Sequence, residues 1–246
     1  MTRETLFETL RTEFQNILTD HGLAAEQIRI TSSALTPEEA IGITARQDYP
    51  ILNGKEIMIQ AEFNGAAGQA FTSSPASYAG SLETILDADL EHDDQARALF
   101  IAALNAVMKH LGLCGGTIHC KNDGPELCAV QFTEYIAEHY DNPKIAVVGY
   151  QPALLSALCS RFSVRALDLN PDNVGQQRFG ITIEHGLRDM DAVRDWADLI
   201  LCTGSTLANG SIIDYMDLDK DVIFFGTTAA GAASLLGLCR KCFQSL

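Results

Sequence analysis

Residues 144–173 read KIAVVGYQPALLSALCSRFSVRALDLNPDN, and the fold turns on this stretch. The apolar run Ile145 to Val148 stops at Gly149. Pro152 can open a helix, helical patterning fills Ala153 to Arg161, and a second apolar run, Val164 to Leu167, stops at Asp168. Both runs are too continuous for a half-exposed sheet and suit parallel strands covered on both faces. The unit recurs downstream: apolar runs at Ile181 to Ile183, Leu199 to Cys202 and Val222 to Phe225 alternate with helical stretches at Met190 to Ala197, Leu207 to Met216 and Ala230 to Leu238. Strand alternating with helix predicts a Rossmann-like α/β domain with a parallel sheet. The expected order is 3-2-1-4-5, counting from the Ile145 strand.

Upstream the texture changes. Leu6, Leu10, Phe14, Ile17 and Leu18 fall on one helical face, which ends at Gly22. Short β-type runs follow at Ile28 to Ser33, Ile41 to Ala45, Ile57 to Phe63 and Gly68 to Thr72, with turn dipeptides at Asn53-Gly54 and Asn64-Gly65. They predict an antiparallel meander. Helical patterning returns in Ser81 to Leu86 and through Ala96, Leu99, Phe100, Ala103, Val107 and Leu111. Residues 1–113 thus read as an α+β domain and 144–246 as the α/β domain. Residues 114–143 provide a Gly-, Pro- and Asn-containing hinge and the first helix of the second domain.

Composition narrows the function classes. The chain has 246 residues with 17 Lys and Arg against 32 Asp and Glu, a net charge of -15, and 7% aromatic residues. Such a chain lacks the basic field that a nucleic-acid groove requires. Val222 to Cys239 carries no charge, but its small, hydroxyl-rich interior fits a strand turning into a helix better than a membrane span. With no leader-like pattern at Met1 to Gln15, a cytoplasmic location is expected, and the 7 cysteines read as free thiols or ligands. The expected partner is a small-molecule ligand, with neither nucleic acid nor membrane; a homo-oligomer is left open.

Ligands of open α/β sheets sit beyond the carboxyl ends of the strands, where strand order switches. Four loops converge there. Gly149-Tyr150-Gln151-Pro152 leaves the first strand, and Asp168 with Asn170 ends the second, where a ribose-binding acid stands in nucleotide-binding sheets. Thr203-Gly204-Ser205-Thr206 and Gly226-Thr227-Thr228 leave the fourth and fifth strands. Hydroxyls and free N–H groups at a helix start form donors for an anion, although N-capping alone accounts for one hydroxyl per helix. Asn209-Gly210, both poor helix formers, adds to the cluster.

The segments TGSTLANGS (203–211), FFGTTAAGAA (224–233) and VVGYQPAL (147–154), with HCKNDGPELCA (119–129), LDLNPDN (167–173) and AALNAV (102–107), resemble the heavy-metal-chelation family of uncharacterised prokaryotic proteins. The resemblance covers nearly the whole chain. It implies an enolase-N-terminal-like domain followed by a Rossmann-like domain, with a site between them. By position it implies site roles for Gly149, Pro152, Asp168, Asn170, Thr203, Gly204, Ser205, Asn209, Gly226 and Thr227, and also for Asn105. The chain departs from the family pattern at 239–243, where CRKCF replaces a more apolar segment.

Sulfur is the remaining signal. His119, Cys120, Cys128 and Cys242 could ligate a soft transition metal, although adjacent residues on an extended chain point to opposite sides. Cys114, Cys159 and Cys202 sit in apolar sequence and read as core. His21, His92, His110, His139 and His185 have no partner at ligand spacing and read as solvent-facing. No GxSxG, HExxH or Walker motif is present, so no catalytic residue is assigned. The reading is a protein that binds a small anionic ligand or a metal chelate between its two halves. The first alternative is a Rossmann-like enzyme using S-adenosylmethionine or a dinucleotide; the second is a thiol-based metal carrier or redox protein.

Overall fold

The computed structural model describes residues 1–31, 36–53 and 57–246. The first helix, α1 (Arg3–Asp20), starts at Thr2, whose side chain and that of Thr5 satisfy each other's backbone N–H groups; Leu6, Leu10, Phe14 and Leu18 are buried. The strands β1 (Gln27–Thr31), β2 (Ile57–Phe63), β3 (Ala66–Thr72) and β4 (Tyr78–Ser81) form a four-stranded sheet in the order β3-β2-β1-β4, and every pairing is antiparallel. The hairpin expected at Asn64-Gly65 is there, with φ of 47° and 84° as a two-residue primed turn demands. The end of the Ile28 to Ser33 run and the Asn53-Gly54 turn lie outside the described residues.

One expected strand is corrected. The run beginning at Ile41 is instead the end of a short helix, α2 (Pro37–Ile41). Thr36 and Glu39 form a reciprocal capping box, with Thr36 N–H donating to the Glu39 carboxylate at 2.8 Å and Glu39 N–H to the Thr36 hydroxyl at 3.2 Å. That local chemistry outweighs the β-type run that follows. The fourth strand is supplied by Tyr78–Ser81, which leads directly into α3 (Leu82–Leu86).

After α4 (Asp94–His110) and α5 (Gly124–His139), the second sheet is built from β5 (Ile145–Val148), β6 (Val164–Asp168), β7 (Gln177–Arg178), β8 (Ile181–His185), β9 (Leu199–Thr203) and β10 (Asp221–Phe225). Its order is β10-β9-β5-β6-β8-β7. The five predicted strands are parallel and in the predicted order, and β7 adds a two-residue antiparallel edge. The helices α6 (Pro152–Cys159) and α7 (Met190–Trp196) lie between strands and α8 (Ala230–Leu235) follows the last one, each within its expected stretch. The helix expected over 207–216 is replaced by two 3-10 stretches, Gly204–Leu207 and Ser211–Tyr215. Between them Gly210 takes φ of 77° and Asn209 accepts the Ser211 N–H at 2.9 Å, an Asx turn that competes with helix.

Strand alternation divides the core into two clusters. Ala146, Val148, Ile200, Cys202 and Phe224 face α4, α8 and the first sheet, whereas Ile145, Val147, Leu199, Leu201 and Phe225 face α5 and α6. The helix α4 joins the two sheets. Against β3 the contact is backbone on backbone: a Cβ at Gly68 would collide with the Ala106 nitrogen and the Ala102 carbonyl, so only glycine fits. At the same contact Asn105, fully buried, donates from its amide nitrogen to the carbonyls of Gln69 in β3 (2.9 Å) and of Thr227 (3.1 Å) and Thr228 (3.2 Å) beyond β10, and accepts the Gly231 N–H (2.8 Å). Nearer the start of α4, buried Arg97 donates to the Ala208 carbonyl at 2.9 Å.

Asn105→Ala would remove a partner from a carbonyl of β3, from two carbonyls of the loop after β10 and from one N–H. We expect a loss of about 2–4 kcal/mol in urea unfolding. Asn105→Asp, which has the same shape but opposes carbonyl oxygens with a carboxylate, should cost at least as much at neutral pH.

Candidate functional site

The strand order reverses at β5, between β6 and β9, and the cleft lies outside the carboxyl ends of these strands. It is a cavity of about 330 Å³. Its polar wall contains Asp168, Asn170, Thr203, Ser205, Thr206, Asn209 and Asp214, and its apolar wall contains Leu169, Leu187 and Met190. Ser73, just beyond β3, closes it from the first sheet. A second cavity of about 70 Å³ adjoins it and is lined by Phe71, His119, Cys120, Cys128, Gln151, Phe225, Gly226, Thr228 and Cys242, among others. Thr203 and Ser205 line both cavities. A third, of about 170 Å³, opens between the end of β3 and Asn209 and again includes Ser205.

The loop hydroxyls are largely committed. Thr206 donates to the Thr203 carbonyl at 2.6 Å, Thr203 donates to the Ser205 hydroxyl at 3.3 Å, and the Thr228 hydroxyl accepts the Phe71 N–H at 3.1 Å. The Ser205 hydroxyl, an acceptor in its contact with Thr203, keeps its proton for a ligand. Asp168 is engaged locally as well. Its carboxylate accepts the N–H groups of Tyr150 (2.6 Å) and Asn170 (2.7 Å), tying the loop after β5 to the end of β6.

The predicted residues therefore separate into three groups. Gly149, Asp168, Asn170, Thr203, Ser205, Thr206 and Asn209 line the larger cleft; Gln151, Gly226 and Thr228 line the smaller cavity. Tyr150, Pro152, Gly204 and Thr227 line neither of these cavities. Gly204 is a glycine because a Cβ there would lie 2.8 Å from the Ala229 nitrogen, so the close approach it permits is between two loops of the protein. Gly149 similarly makes room for the Thr203 side chain, 2.7 Å from where its Cβ would stand. Asn105 is buried in the core network described above. The walls contributed by Phe71, Ser73 and Asp214 were not foreseen. They carry no motif and reach the cleft only through the packing of one sheet over the other.

His119, Cys120, Cys128 and Cys242 do share one cavity. The segment carrying His119 and Cys120 is not a strand, so the opposite-sides rule for extended neighbours does not hold there. Instead the imidazole Nδ1 donates to the Cys120 carbonyl at 2.6 Å and lies 3.9 Å from the Cys120 sulfur. Even so, among the described residues no group of three or more His, Cys, Asp and Glu side chains is arranged to hold a metal ion. Burial holds the His119 imidazole below its ordinary pKa and pushes the Cys120 thiol up to about 12. Cys242 goes the other way, to about 5: the Cys128 thiol donates to it, and the Ser245 hydroxyl, Arg240 and the Gly226 N–H add to the effect. Cys202 is buried as expected, with Cys114 and Cys159 packed at the edges of the core. His185 is a turn cap as well, its Nδ1 accepting the N–H groups of Leu187 (3.1 Å) and Arg188 (3.3 Å).

A thiol whose pKa is lower folded than unfolded binds fewer protons in the native state between the two values, so its contribution to stability is present above the unfolded pKa and is lost as pH falls through about 5. The stability difference between the wild type and Cys242→Ser should therefore widen as pH rises from 5 to 8. Paired urea titrations across that range check this.

No described helix is long and apolar enough to cross a membrane. Residues 132–238 match the model of the DUF364 family, described as "Putative heavy-metal chelation". Two solved structures share the fold, each titled as a DUF364 protein of unknown function. One, from Pyrococcus horikoshii, is 19% identical with a TM-score of 0.53, covering 91% of this chain and 79% of that one. The other, from Desulfitobacterium hafniense DCB-2, is 13% identical with a TM-score of 0.50, covering 73% and 72%. No curated protein matches the chain. Through residues 132–238 and through a mixed α/β fold with one mostly parallel sheet, the chain is similar to the DUF364 family.

Proposed function

We propose that the chain binds a small metal chelate in the cleft between the end of β3 and the carboxyl ends of the parallel strands. The observation that carries this reading is the charge of the lining. Asp168 and Asp214 stand in the larger cleft, and its lining includes no Lys, Arg or His. A bare anion would meet two carboxylates and no counter-charge, so of the two ligand classes expected from sequence the cation-bearing chelate is the better match. Ser205, at the junction of three cavities, supplies the hydrogen bond that orients it. The metal arrives with its ligand, since the described side chains form no cluster that would hold it alone.

A second reading rests on a different observation. Asp168 ends β6 beside the apolar Leu169, Leu187 and Met190, an arrangement suited to a nucleoside. The two carboxylates favour the cationic S-adenosylmethionine over a dinucleotide, whose pyrophosphate they would repel.

Calorimetric titration with copper(II)–histidine and nickel(II)–histidine complexes, S-adenosylmethionine and NAD separates these readings. Protein purified from cells should also release a small molecule together with a transition metal on denaturation, seen by mass spectrometry and elemental analysis. Ser205→Ala and Asp214→Asn should each weaken chelate binding about 5- to 30-fold, the effect of losing one hydrogen bond or charge contact of about 1–2 kcal/mol. Tight S-adenosylmethionine binding with no response to either complex would replace the chelate reading by the nucleoside one.

A further inference from the structure

The smaller cavity differs from the cleft it adjoins in the charge of its walls. Asp168 and Asp214 line the larger cleft, whereas among the described residues the smaller cavity is lined by no Asp, Glu, Lys or Arg. Its acidic thiol, Cys242, has the Arg240 guanidinium as counter-charge. Four elements build the apolar part: Phe71 at the end of β3, Phe132 on α5, Ala153 and Leu154 in the first turn of α6, and Phe225 at the end of β10. The rings are held in set orientations. Phe132 meets Phe225 edge-on with centroids 6.2 Å apart, Phe71 meets the His119 ring edge-on at 5.7 Å, and the Phe71 N–H is fixed by the Thr228 hydroxyl at 3.1 Å.

Protein interiors pack tightly, and a void among aromatic rings forfeits dispersion contacts that an apolar occupant would restore. An apolar cavity of about 150 Å³ takes a benzene molecule. One of about 70 Å³ has room for a branch of roughly three carbons. The way in is from the larger cleft. Thr203 and Ser205 line both spaces, and the Thr203 hydroxyl donates to that of Ser205 at 3.3 Å. These boundary hydroxyls bond to each other, so an apolar group passing them strands neither.

We propose that the chelate is amphipathic: its metal-bearing end faces Asp168 and Asp214, and a branched aliphatic arm passes Thr203 and Ser205 into the smaller cavity. This rests on the chelate reading of the larger cleft and adds the class of chelator, one that carries an aliphatic side chain. The separation of charge carries the inference. A cationic end gains from the two carboxylates of the larger cleft, and in the smaller cavity it would give up water for aromatic walls. An aliphatic branch has the opposite preference, gaining about fourfold in affinity for each methylene buried. Both ends are served at once because the two spaces share a boundary.

The test titrates the protein calorimetrically with the bis(ethylenediamine)cobalt(III) complexes of glycine and of leucine. Both are cationic and substitution-inert, so neither passes its metal to the cysteines, and they differ only in the isobutyl group. The leucine complex should bind about 30- to 100-fold more tightly. Xenon-pressurised crystals of the wild type locate the arm: xenon should enter the space among Phe71, Phe132 and Phe225, the leucine complex should displace it, and the glycine complex should not. Ala153→Leu, which fills that space from α6, should bring the two affinities within about threefold of each other. Equal affinity of the two complexes for the wild type overturns this inference and leaves the chelate reading standing. A leucine preference that leaves the xenon undisturbed seats the arm elsewhere and overturns it too. Binding of neither complex overturns the chelate reading, and this inference falls with it. Titration and crystals of the wild type decide between these outcomes even where the variant folds poorly.

Discussion

The amide of Asn105 holds the two sheets in register. One side chain satisfies a carbonyl of β3, two carbonyls of the loop after β10 and the N–H of Gly231 in α8. Both the nitrogen and the oxygen are engaged, and the surroundings leave no alternative orientation, since the nitrogen faces acceptors and the oxygen faces a donor. At a fully buried residue each of these bonds is costly to lose. This residue and the glycine contact that lets α4 lie directly on β3 help set the first sheet over the carboxyl edge of the second, together with the Phe71–Thr228 and Arg97–Ala208 hydrogen bonds and the shared apolar core.

The cleft that results is the product of two unrelated constraints. Parallel strand order places loop ends at the β5 switch point, and the close packing of α4 brings Phe71 and Ser73 across to face them. Hydroxyls there are consumed in holding the loops: Thr206 binds its own loop and Thr228 binds β3. The cleft still presents the Ser205 hydroxyl, those of Ser73, Ser211 and Tyr215, two carboxylates and an apolar wall. A loop sequence rich in Thr and Ser, which suggests an anion cradle, thus lines a cleft that also carries two carboxylates and no Lys, Arg or His.

The second half was legible because its signals are local and redundant. Each β-run ends in a glycine or a polar turn, and right-handed crossovers leave few orders for five parallel strands. In the first half the Ile41 run misleads because its β-branched content competes with the Thr36–Glu39 capping box, although both lie in the sequence. The 207–216 segment misleads for a related reason, since Asn209-Gly210 is stronger as a turn than the flanking apolar spacing is as a helix. The candidate site was legible in its loops and illegible in its partners. Nothing near Ser73 or Phe71 announces a ligand, and the burial of Tyr150 and Thr227 depends on tertiary packing. The sulfur group is found by residue type alone, but that it lines one cavity requires knowing that the C-terminal tail returns to α5.

That returning tail closes an exposed flank of the molecule. An unpaired outer strand offers a row of free backbone groups to any passing chain. Here β10, the outermost strand on one side of the parallel sheet, is covered by residues 239–241, while the opposite side ends in β7, only two residues long and antiparallel. The first sheet is protected in the same manner, its β3 flank occupied by the Thr117 carbonyl and the Thr228 hydroxyl and its other flank ending in the four-residue β4. Segments that look like mere connections and leftovers thus act as end-stops, leaving neither sheet a long free border onto which a neighbouring molecule could add a strand.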